Sequence, residues 1–113
     1  MMRTVLAAAV VLGVTVTTAA AQNEVLEKGK QVYAAQKCQV CHSVAGVGNK
    51  KGPLDDLGAK LTAAEIREWI VNAPEMTAKS KSTRKPPMKS YTTLPKEELD
   101  ALVAYLQSLK TKA

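Results

Sequence analysis

Two cysteines with two residues between them, followed at once by a histidine, constrain this chain more than any other feature. Cys38-Gln39-Val40-Cys41-His42 contains both of its cysteines and its one histidine. That order of residue types is the pattern of c-type haem attachment. Each thiolate adds across a vinyl group of the porphyrin, and both vinyls must be reached from one short turn. The next residue then lies beneath the ring, where a neutral imidazole nitrogen binds the iron. Three other chemistries use the same residues. A structural zinc site needs a full tetrahedral set of protein ligands, and Cys38, Cys41 and His42 leave that set one short. A thioredoxin-like dithiol needs a βαβ setting, and no period-two segment alternates with helices here. A disulfide across two residues would close a very small loop, restrain the unfolded chain little and leave His42 without a role.

The start of the chain reads as an export signal. Arg3 gives a positive start, Val5 to Val16 is apolar apart from Gly13 and Thr15, and Ala19-Ala20-Ala21 is a small-residue cleavage pattern. Cleavage is expected before Gln22, because the run is shorter than the ~20 apolar residues that a spanning helix needs. The signal holds no cysteine for a lipid anchor, so the mature protein is expected in the periplasm with no stable membrane insertion. Removing residues 1–21 from 113 leaves 92, a length at which a protein core alone is marginal. A covalently held haem would fill that deficit. The chain has no Phe, and its aromatics are Tyr33, Trp69, Tyr91 and Tyr105, as fits a core whose main aromatic body is not an amino acid.

The mature chain reads as all-α, with no strand pattern and no internal repeat. From Glu24 to Gln36, Val25, Gly29, Val32 and Tyr33 share one helical face. Gly29 costs such a helix about 1 kcal/mol, which points to close approach by another element. Gly46, Gly48, Gly52 and Pro53 mark 43–60 as a loop. Thr62 and Glu65 form a capping-box pattern, after which Ile66, Trp69, Ile70 and Ala73 share a face until Pro74 ends the run. Trp69 either packs in the core or touches the haem edge. Residues 75–92 read as a connection rich in Pro, Ser and Lys, and a last helix runs from Pro95 to Leu109 with Leu99, Leu102, Val103, Leu106 and Leu109 on one face. Met76 and Met88, the two methionines left after signal removal, lie off the helical faces. Either offers a thioether for the second axial position of the iron.

These residues, in order, carry a family resemblance: Cys38-Gln39-Val40-Cys41-His42, then Gly52-Pro53-Leu54, Trp69-Ile70, Met88 and Leu99-Asp100-Ala101-Leu102-Val103-Ala104-Tyr105-Leu106. The chain resembles a monohaem class I cytochrome c of the bacterial periplasmic type over nearly all of residues 24–110. The order is specific, since four-helix-bundle cytochromes carry the haem motif near the C-terminus. The resemblance implies three main helices plus loops wrapped around one haem, over a domain spanning 22–113. It also implies a Pro53 carbonyl that accepts a hydrogen bond from Nδ1–H of the proximal His42, and a crossing of the first and last helices at Gly29 and Tyr105. Many relatives read Met-Pro-Pro, whereas this chain reads Lys85-Pro86-Pro87-Met88-Lys89. Met88 is preferred to Met76 because the two prolines pre-set an extended backbone, while Met76 follows the helix end at Pro74 too closely to reach across.

With Cys38 and Cys41 holding haem c, His42 and Met88 on the iron, and Pro53 and Trp69 around the ring, the expected function is one-electron transfer by a soluble carrier that is not an enzyme. Two alternatives remain. One is a ligand sensor or peroxidase-like protein with an open axial site, and the other is a cytochrome subunit of a larger oxidoreductase. Lys79, Lys81, Arg84, Lys85 and Lys89 form a run with no acid between them, which is either a solvated face or a surface that steers docking onto acidic redox partners. Nucleic acid is not an expected partner, since no recognition motif is present.

Overall fold

The computed structural model describes residues 18–111. Residues 1–17, which carry most of the expected export signal, lie outside the described residues. Helix α1 spans Thr18–Ala35, α2 Leu57–Lys60, α3 Ala63–Val71, α4 Ala73–Ser80 and α5 Lys96–Gln107. The three longest of these, α1, α5 and α3, are the main helices expected from the periodicity. None of the described helices is long and apolar enough to cross a membrane.

Helices α1 and α5 pack against each other at Gly29. A Cβ on that glycine would collide with the Ala101 carbonyl and Tyr105 Cβ, so the missing side chain is what lets the two backbones approach. One turn along, Tyr33 meets Tyr105 edge to face, with ring centroids 5.8 Å apart. Val25, expected on the buried face, is 42% exposed. Helix α3 starts as its sequence requires. The Thr62 hydroxyl accepts from the Glu65 amide at 3.2 Å, and the Glu65 carboxylate accepts from the Thr62 amide at 3.1 Å. Arg67 on α3 pairs with Asp100 on α5, which also binds Lys96 at 3.0 Å.

Two expectations of secondary structure need correction. Residues 43–60 hold a two-stranded antiparallel hairpin, β1 Ser43–Val44 with β2 Val47–Gly48, as well as α2. Ala45 and Gly46, both with positive φ, make its two-residue turn; strands this short leave no periodicity to read. Pro74 does not simply end a helix. The break comes at Asn72, and Pro74 lies in the first turn of α4, where its missing N–H has no helical partner to lose.

Among the described residues, the buried cluster consists of Val32, Tyr33, Ile66, Ile70, Leu102, Val103 and Leu106. Five of these seven, all but Val32 and Val103, also face a cavity. The helices therefore do not close a core on themselves but form a shell around a space.

Candidate haem site

The Cys-x-x-Cys-His segment takes its shape from a single 3-10 turn. Lys37 adopts the left-handed conformation with φ 57°, and Cys38–Val40 follow as the turn. The amides of Cys41 and His42 both donate to the Cys38 carbonyl, at 3.1 and 2.9 Å. Side chains three apart eclipse in this geometry, which brings both cysteines to one side. Asn49 holds the turn from outside, its side chain donating to the Val40 carbonyl at 3.2 Å. Both thiols are free. Burial pushes the Cys38 thiol up to about 11, with the neighbouring Cys41 adding to the shift and its own backbone hydrogen bond opposing it.

His42 is half-buried, and its Nδ1 lies 3.1 Å from the Gly52 carbonyl. The carbonyl that orients the imidazole is thus that of Gly52 and not of Pro53. Pro53 is exposed and bridges Ser43 through its backbone. The Ser43 amide donates to the same Gly52 carbonyl at 3.0 Å, and Leu54 donates back to Ser43 at 2.9 Å. Residues 52–54 therefore run beside 42–44 and present a fixed acceptor to the ring. With Nδ1 occupied, Nε2 is the nitrogen left for a metal. Burial holds the His42 pKa below its usual value, opposed by the Gly52 hydrogen bond and assisted by the nearby Arg84 charge. The neutral imidazole, the form that binds metal, is favoured.

Cys38, Cys41 and His42 all line the cavity shared with the core, whose volume is about 850 Å³. This is near the top of the roughly 300–1,000 Å³ range of cofactor pockets. Its wall is mainly apolar: Leu54, Leu57, Leu61, Ile66, Ile70, Leu102 and Leu106, with Trp69 and Tyr91 supplying aromatic surface. Met88 lines the same cavity and Met76 does not. Among the described lining residues there is no Asp or Glu, whereas Lys37, Lys60, Arg84 and Lys89 stand on the wall. Two free thiols, an oriented neutral imidazole and a thioether around one large apolar space fit the donor set and the bulk of a c-type haem.

Arg84 is the residue that sequence reading missed as part of the site. It is half-buried on the cavity wall, and its guanidinium donates to the Cys41 carbonyl. It therefore does not belong with the exposed Lys81, Lys85 and Lys89. Lys79 pairs with Glu75 at 3.6 Å, and Lys89 lies 5.2 Å above the Tyr91 ring.

Comparison with known proteins fits this geometry. The model of a family described as cytochrome c matches residues 26–110. The chain is also similar to a protein of Alkalihalophilus pseudofirmus described as cytochrome c oxidase subunit 2, 29% identical over 92 residues, which make up 74% of this chain and 25% of that protein. The chain thus spans about a quarter of the length of the curated relative it matches. No solved structure matches it.

Proposed function

This chain belongs to the cytochrome c family, and from that premise we propose that it is an exported one-electron carrier with a single haem c. In this reading Cys38 and Cys41 would hold the haem through two thioethers, and His42 and Met88 would bind its iron. The observation that carries it is the common cavity walled by Cys38, Cys41, His42 and Met88. When bound, the haem supplies a one-electron Fe(III)/Fe(II) couple. Everything else is done by the chain. Gly52 fixes the ring of His42 through Nδ1. Met88 offers a thioether, which favours the reduced iron and raises the potential of a Met/His pair. The leucines and isoleucines of α2, α3 and α5 exclude water and lower the local dielectric, a second lever on the potential. With His42 and Met88 both given to the iron, no site would remain for a substrate, and in this reading the chain carries electrons and does not act as an enzyme.

Export to the periplasm follows from residues 1–21 read as a cleaved signal. Exposed Lys81, Lys85 and Lys89 beside the ligand segment, and a wall without acids, favour redox partners with acidic docking faces. A second reading rests on the likeness to cytochrome c oxidase subunit 2: the chain would dock permanently as the cytochrome component of a larger oxidoreductase.

Carbon monoxide tests the ligand set. Reduced holoprotein at neutral pH is expected to keep its spectrum when the gas is added. Ready formation of a carbon monoxide complex would favour a sensor or peroxidase-like protein with an open site.

A further inference from the structure

We propose that Arg84 is a positioning residue that holds Met88 in place by tying its segment to the segment that carries His42; this rests on the axial ligand set proposed above. The segment bearing Met88 is held on its downstream side by two hydrogen bonds. The Ser90 hydroxyl accepts from the Ala73 amide at 3.2 Å, and the Tyr91 amide donates to the Ile70 carbonyl at 2.7 Å. On its upstream side, the Ser82 amide bonds the Thr77 carbonyl at 3.2 Å and only closes the end of α4. The connection across the site is the Arg84 guanidinium, which donates to the Cys41 carbonyl.

The same guanidinium fills the space over Gly52. A Cβ at Gly52 would collide with Arg84 Nη1 and with the Cys41 carbonyl. Gly52 in turn supplies the acceptor for His42 Nδ1 at 3.1 Å. One side chain therefore meets the carbonyl just before His42 and lies against the glycine whose carbonyl orients its ring, from a point four residues before the thioether. Pro86 and Pro87 lie between, and their fixed φ makes the arm from Arg84 to Met88 short of internal freedom. An anchor at Arg84 thus limits how far Met88 can swing away, and its loss lowers the cost of opening the sixth position.

The test uses ferric holoprotein and imidazole as the probe ligand, in wild type, Arg84→Met, Arg84→Lys and Met88→Ala. Arg84→Met keeps an apolar stem but no donor. It is expected to raise imidazole affinity about fivefold, the ratio set by one ordinary hydrogen bond, and to weaken the thioether-to-iron charge-transfer band. Arg84→Lys retains a donor and a charge and is expected to recover most of both, an outcome that a merely structural role would not produce. If Arg84→Met does not fold, Arg84→Leu, which also lacks a donor, takes its place, with the same expectation. Imidazole affinity and charge-transfer band unchanged in the donor-less variant, while Met88→Ala raises the affinity, would overturn the role of Arg84. No gain in affinity in Met88→Ala would instead overturn the ligand set itself.

Discussion

Met88 and Met76 differ in one respect that bears on reactivity: the first lines the cavity with His42 and the second does not. Met88→Ala is therefore expected to admit external ligands and to lower the reduction potential, because it removes the thioether that favours reduced iron. Met76→Ala is expected to leave both nearly unchanged. A ligand titration and a redox titration of the two variants check this, and the reverse pattern would move the ligand to Met76. At this scale, what was legible in the sequence is what is local along the chain. Cys38, Cys41 and His42 are adjacent, and one turn brings them together. The Gly52 carbonyl was not legible, because which of two neighbouring carbonyls meets a ring depends on the register of 52–54 beside 42–44. Arg84 was misread for the same reason. In the sequence it stands among lysines, and only the folded chain shows its guanidinium turned inward onto Cys41.

Among the elements, the contact of α1 with α5 is the most sensitive to a single atom. Gly29→Ala adds a methyl group against a backbone carbonyl, which cannot move aside as a side-chain tip would. Overpacking of this kind costs about 1–3 kcal/mol, and the gain in helix propensity returns about 1 kcal/mol at most. Because the clash is with backbone, the upper end of that cost applies, and the expected result is a net loss of about 2 kcal/mol, seen as a lower thermal midpoint with an unchanged visible spectrum, since no ligand is touched. A midpoint at or above wild type would mean that the helices separate freely. Helices α1, α3 and α5 were legible because each carries a sustained apolar stripe, and α3 also announces its start through Thr62 and Glu65. The hairpin at 43–48 and helix α4 were not. Two-residue strands have no period, and α4 carries its Pro in the first turn, a position that a scan for helix breakers reads as an end.

For the whole molecule, the exposed lysines beside the Met88 segment set the expected kinetics. Electron transfer to an acidic partner should slow as salt rises, since exposed charges are screened beyond about 10 Å at 0.1 M. Changing Lys81 and Lys85 to Glu should lower the association rate and flatten its salt dependence while leaving the spectrum alone. Stopped-flow rates across a salt series check this, and unchanged rates would make the segment a solvated face only. The larger feature is the shell itself: five of seven core residues look onto the cavity, so the folded state depends on what fills it. Whether that filling is covalently attached is tested most directly by staining a denaturing gel for haem after extracting the mature protein with acidified organic solvent. The haem is expected to remain with the wild-type chain and to be nearly absent when Cys38 or Cys41 is replaced by Ser. A wild-type chain that gives up its haem to the solvent would contradict the assignment.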